Sequence, residues 1–142
     1  ITGAASGIGA ATAQVFAEAG ADLALAWYPP DGHDIEPVRR AVEKTGRKVV
    51  VAEVDVTKTA DVDALVATAV RELGGLHIAV ANAGIARKVE LADLDDATWQ
   101  KVLEVNLNGA CQCFRASSPL ASRWVGTGRW GAKHSMCSSD SP

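Results

Sequence analysis

The 142 residues are 48% apolar and 22% charged, a composition that suits one globular domain burying roughly two-thirds of its unfolded surface. A formal charge of -3 argues against a nucleic-acid-binding face, which gathers Lys and Arg into a patch. No run is long and apolar enough to cross a bilayer and no signal peptide is visible, so the expected setting is cytoplasmic, without nucleic acid or membrane.

Cys111, Cys113 and Cys137 are odd in number and lack a His at ligand spacing. They are expected to be reduced, small apolar residues, with no metal site.

Ile1-Thr2-Gly3-Ala4-Ala5-Ser6-Gly7-Ile8-Gly9 places three glycines where a strand end meets a helix start. That spacing lets the backbone turn tightly with its N–H groups free to face an anion, and the positive end of the following helix points at the same place. Together they form a cradle for a dinucleotide pyrophosphate. Because Ile1 and Thr2 read as the end of a strand, the chain is expected to be a fragment at its N-terminus, and hence poorly stable alone.

A helix follows from Gly7 to Ala19, with Ile8, Ala11, Val15 and Phe16 expected on the inner face and Gly20 closing it. Asp22 to Trp27 reads as a short buried strand. In nucleotide-binding α/β folds the residue about twenty beyond the glycines reads the ribose, acidic for a free 2′-hydroxyl and basic nearby for a phosphate. Trp27 or Tyr28 falls there, and neither choice is made. Asp31 or Asp34, in the Pro- and Gly-rich loop that follows, could fold back to the ribose; the favoured reading makes them turn and N-cap residues.

Ile35 to Thr45 predicts a second amphipathic helix, and Lys48 to Val54 a β-branched buried strand. Asp55 directly follows it, placed to accept from an adenine amino group, with Thr57 or Thr59 expected to cap a helix from Ala60 to Leu73. Leu76 to Ala81 is a fourth strand running into Asn82-Ala83-Gly84, where an amide can brace a neighbouring strand and small residues leave room for a flat ligand. Asp95 or Asp96 is expected to cap a long helix through Trp99 and Leu107. Asn106, Asn108 and Gly109 interrupt it with poor helix formers, either a mere irregularity or a kink that frees a carbonyl for water.

Thr2-Gly3-xxx-Gly7-Ile8-Gly9, Asp55-Val56, Ala81-Asn82-Ala83-Gly84 and Val105-Asn106-Leu107-Asn108-Gly109, in this order, resemble the short-chain dehydrogenase/reductase family. The resemblance covers Ile1 to about Pro119. It implies an α/β, doubly wound parallel sheet, a Rossmann fold truncated at both ends. It also implies metal-free hydride transfer between NAD or NADP and an alcohol or carbonyl substrate. Carried over, Gly3, Ser6, Gly7, Ile8 and Gly9 hold the pyrophosphate and adenosine, Asp55 and Val56 the adenine, and Asn82, Ala83 and Gly84 the nicotinamide side. Asn106 matches the catalytic Asn whose carbonyl holds a relay water, and Ser139 is the best match to the catalytic Ser. Ala81 stands where many members have another Asn. The family's Tyr-x-x-x-Lys pair, in which the Lys acidifies the Tyr, is not in these residues; the only tyrosine is Tyr28.

The expected division is a Rossmann domain over 1–121 and a divergent or irregular tail over 122–142, the latter either a loop or a translation out of frame. With no basic residue in the glycine turn or after Trp27, NAD is slightly preferred over NADP. The helix through Asn106 implies, by analogy, a homo-oligomer. The alternatives are a cofactor sensor that does not turn over substrate and an inactive fragment.

Overall fold

The computed structural model describes residues 1–120 and the backbone of Arg123–Gly126. Ser139, Cys137 and nearly all of the expected tail lie outside the described residues.

Strands β1 (Leu23–Trp27) and β2 (Val49–Glu53) pair in parallel, Leu23 opposite Val49 and Trp27 opposite Glu53. Strands β3 (Ile78–Ala81) and β4 (Arg123–Gly126) form a second parallel pair, Ile78 opposite Arg123. The sequence reading placed no strand at β4. Ile1 to Ala4 run between the two pairs: the Ile1 nitrogen donates to Ala24 O at 2.9 Å, Ala26 N to Ile1 O at 2.9 Å, Ala4 N to Ala26 O at 3.0 Å and Thr2 N to Val80 O at 3.0 Å. The spatial order is therefore β2, β1, the Ile1–Thr2 segment, β3, β4. Each parallel step needs a crossover, and helices supply them.

Helices α1 (Gly7–Glu18) and α2 (Glu36–Lys44) pack together on one face, where Ala4, Ala13, Ala17, Leu23, Leu25, Ile35 and Val42 form a core. Helices α3 (Thr59–Leu73) and α5 (Ala110–Ser117) contact each other over a second core containing Val54, Val56, Val62, Leu65 and Cys113. Leu25, Val42 and Val62 are fully buried, and each contributes about 1.5–3 kcal/mol of transfer free energy.

The inner face of α1 is not the one expected from apolar spacing. Ile8 is 72% and Val15 59% exposed and Ala11 is exposed; of the four, Phe16 alone packs against the core, and Gly9, Ala13 and Ala17 are the buried residues of the helix. The cause is a steric limit at the glycine turn: a Cβ on Gly9 would lie 2.1 Å from Gly3 O, so only the smallest residues let the helix approach so closely.

Two further expectations are corrected. Neither Thr57 nor Thr59 caps α3; Lys58 is the N-cap and makes no side-chain capping bond, while Asp55 uses Thr57 in a turn of its own. The single long helix is three segments: α4 (Asp96–Leu103), a π-helical turn over Glu104–Gly109, and α5. Asp95 does cap α4, its Oδ1 accepting from Thr98 N at 2.6 Å. This bond holds the Asp95 carboxyl below its ordinary range.

Candidate functional site

The glycine turn is tied to the end of β3 by Thr2 and Asn82. Thr2 Oγ1 accepts from Asn82 N at 3.0 Å and from Ala83 N at 3.1 Å, and Asn82 Nδ2 donates to Thr2 O at 3.0 Å and Gly3 O at 3.2 Å. Gly3, at φ +65°, passes so close to β3's end that a Cβ there would stand 2.9 Å from Ala83 Cα. Beyond this lock, α1 begins at Gly7 with no acidic residue in its first turn, and Ser6 at the N-cap makes no side-chain capping bond. The helix thus presents its first amides uncapped by any side chain, at its electropositive end. Around Gly7, at φ +52°, a Cβ would meet nothing within 4 Å. Backbone donors, open space and a helix dipole converge here, and the group they fit is a phosphate.

Gly84 leads from Asn82 to Asn106. A Cβ on Gly84 would sit 3.3 Å from Asn106 Oδ1. That oxygen accepts from Ile85 N at 2.8 Å while Asn106 Nδ2 donates to Ile85 O at 2.9 Å. The side-chain amide therefore pairs with Ile85 as a neighbouring strand would and fixes where the chain leaves β3. Asn106 lies in the π-helical turn, a winding found disproportionately at functional sites.

At the end of that turn Gly109 is buried against the loop after β2: a Cβ would lie 2.7 Å from Val56 Cγ2. Asp55 opens this loop. Its Oδ1 accepts from Thr57 N at 3.0 Å and Thr57 Oγ1 at 2.7 Å, and its own N–H donates to Asp61 Oδ2 at 3.0 Å. Burial raises the Asp55 carboxyl, but the bonds from Thr57 and the charges of Lys101 and Lys58 outweigh it, and the net shift is downward. Gln112, one turn into α5, donates to Thr57 O at 3.3 Å and supports the same loop.

Gly3, Gly9, Asn82, Ala83, Gly84, Asn106, Gly109, Val56 and Asp55 thus form one chain of contacts and sequence neighbours at the carboxyl ends of the strands, where open parallel sheets bind ligands, while Ser6, Gly7 and the exposed Ile8 lie in the turn between Gly3 and Gly9. At the tip of β1, Asp31 Oδ1 accepts from His33 N at 2.9 Å and pairs with His33 Nδ1 at 3.0 Å, and Asp34 accepts from Glu36 N at 2.9 Å. Both carboxylates serve the turns of the loop before α2, as favoured from sequence, but neither is an N-cap: that position of α2 is Ile35, which makes no side-chain capping bond.

Residues 3–131 match the family model described as enoyl-(acyl carrier protein) reductase. Over 114 residues the chain is 43% identical to a cis-4-hydroxycyclohexanecarboxylate dehydrogenase of Sinomonas cyclohexanicum, a match covering 80% of this chain and 45% of that one. Over 130 residues it is 38% identical to an uncharacterized NAD-dependent oxidoreductase of Mycobacterium tuberculosis, covering 84% and 47%. A solved short-chain type dehydrogenase/reductase of Mycobacterium marinum superposes with a TM-score of 0.77 at 32% identity, covering 83% of this chain and 47% of that one. The chain belongs to the short-chain dehydrogenase/reductase family.

This short-chain dehydrogenase/reductase chain has the Rossmann fold of its structural neighbours and spans about half the length of the curated relatives it matches. Among its described residues no helix is long and apolar enough to cross a membrane. Sequence reasoning missed three contributors to the site. In the sequence the Thr2 hydroxyl stands only as part of the glycine motif. Gly109 reads as a helix breaker, although a glycine ending a buried turn also signals close approach. The pairing of Asn106 with Ile85 has no sequence signal, because it joins residues 21 apart through an irregular loop.

Proposed function

We propose that this chain is the cofactor-binding portion of an NAD(P)-dependent oxidoreductase that moves hydride between a nicotinamide cofactor and an alcohol or carbonyl substrate. The observation that carries the reading is the contact chain running from the Gly3–Gly9 turn through Asn82 and Asn106 to Val56 and Asp55. When bound, the nicotinamide supplies or accepts the hydride. In this reading the first amides of α1, with Ser6, Gly7, Ile8 and Gly9, hold the pyrophosphate. Asp55 and Val56 border the adenine, while Asn82, Ala83 and Gly84 border the nicotinamide side. Asn106 positions the Ile85 backbone with its side chain and offers its main-chain carbonyl to a relay water. Ser139 stands as the proposed substrate-orienting hydroxyl.

NAD is preferred over NADP in this proposal. Support comes from the absence of a basic residue in the glycine turn and from the relatives of Mycobacterium tuberculosis named as NAD-dependent. The Sinomonas relative makes a 4-hydroxycyclohexanecarboxylate the first alcohol to assay. Helix α4, which buries no residue and exposes Trp99, suits association with a second subunit, and a cytoplasmic setting stays part of the proposal.

The test is calorimetric titration of the full-length protein with NAD(H) and NADP(H), followed by turnover assays. Saturable binding with NAD(H) tighter, together with turnover, supports the proposal. Binding without turnover of any alcohol or carbonyl supports a sensor, and no binding of either cofactor overturns both.

A further inference from the structure

Beyond the contact chain, the loop leaving β3 carries two adjacent cations, Arg87 and Lys88, both exposed. Asn106 holds Ile85 at 2.8 and 2.9 Å, so the Arg87 backbone starts two residues from a fixed point beside Gly84. Arg39, Arg40, Arg47, Arg71 and Arg115 each pair with a carboxylate within 4.0 Å. Arg87 has no such partner among the described residues, although Glu90 follows within three positions. A guanidinium that pairs with no carboxylate among the described residues, on the exposed loop that leaves the proposed nicotinamide side at Gly84, offers a planar two-pronged donor of the shape that a ligand carboxylate accepts.

We infer that Arg87 receives the carboxylate of an anionic substrate, a hydroxy acid or its oxo counterpart, with Lys88 adding positive potential at the same rim. The inference rests on the proposed dehydrogenase reading and deepens it by naming a substrate class. Arg87 is a specificity-determining residue here and takes no part in the hydride or proton steps. A charge-assisted, two-pronged bond is strong enough to bias the choice between a carboxylate and its neutral isostere by about tenfold or more.

The test measures kcat/KM of the full-length protein for 4-hydroxycyclohexanecarboxylate and for its neutral carboxamide. Arg87→Gln, Arg87→Lys and the remote control Arg71→Gln are compared with the parent, and NAD affinity is measured by calorimetry on each. The parent is expected to prefer the carboxylate, and the carboxylate-to-carboxamide ratio to fall about tenfold or more in Arg87→Gln. The loss should lie mainly in KM, with a smaller fall in Arg87→Lys and none in Arg71→Gln. Equal loss on both substrates, no preference in the parent, or a weakened NAD affinity in Arg87→Gln overturns the assignment; the last would make Arg87 a cofactor contact. Turnover of the neutral alcohol without any carboxylate preference overturns this inference alone, whereas failure of the parent to bind either cofactor overturns the underlying reading with it.

Discussion

Thr2 and Asn82 satisfy each other across the seam between the glycine turn and β3: the Thr2 hydroxyl accepts from the Asn82 backbone at 3.0 Å, and the Asn82 side chain returns a bond to Thr2 O at 3.0 Å. The Asn82 amide is also the group that a Cβ on Gly9 would strike at 2.7 Å. Asn82→Ala removes both Nδ2 bonds and strands the Thr2 and Gly3 carbonyls. A loss of about 2–4 kcal/mol of unfolding free energy is expected, checked by urea denaturation of the full-length protein.

Gly7 and Gly9 separate conformational need from steric need. Gly7→Ala enters open space at φ +52° and is expected to cost about 1–2 kcal/mol of backbone strain. Gly9→Ala drives a methyl against Gly3 O, pushes α1 off the sheet, and is expected to cost more than about 3 kcal/mol and abolish NAD(H) binding. Thermal unfolding and calorimetry on both variants check the contrast; equal losses would refute the steric account.

A double-mutant cycle tests the contact between the π-helical turn and the loop after β2. Gly109→Ala forces Val56 Cγ2 away and is expected to cost about 1–3 kcal/mol. Val56→Ala opens room for the added methyl, so the pair should cost less than the sum of the singles by at least about 0.5 kcal/mol. Strict additivity in denaturant melts would show that the two residues do not meet.

Acid stability carries a sign that can be worked out. Asp55 and Asp95 both titrate below their ordinary values in the fold, so their contributions are fully present above the unfolded value near pH ~3.9 and are lost as pH falls through the lower folded values. Glu36, held down to about 2 by hydrogen bonds from Arg39 and Arg40, acts in the same window but is half-exposed and its pairs are screened by salt. Unfolding free energy should therefore decline from about pH 5 toward pH 2. Asp55→Asn should flatten part of that decline even in 1 M NaCl. An unchanged acid slope in Asp55→Asn would contradict the Thr57 bonds as the cause of its shift.

Much of this fold was legible because its signals are local. Gly20 follows the end of α1 where expected, Val49–Val51 read as strand from β-branching alone, and the Asp95-Asp96 pair marked the start of α4, with Asp95 the one that caps it. The face of α1 was illegible because apolar spacing assumes that larger side chains point inward, while a backbone contact at Gly9 reverses that order of preference. The division of the last long helix was half-legible: Asn106, Asn108 and Gly109 marked an interruption, but the packing of Gly109 against Val56, 53 residues earlier, lies outside any local window. The site residues were found by their order along the chain, and the bonds joining them became visible only in three dimensions.

The π-helical turn also acts as an angular offset. An α-helix advances about 100° per residue, so one extra residue per turn rotates everything beyond it by about that amount relative to an unbroken helix. Asn106 can therefore engage Ile85 on one side while Gly109 nests against Val56 on another. Deleting one residue between them would restore regular winding and swing one of the two contacts out of phase, uncoupling two loops that are now held by a single rod.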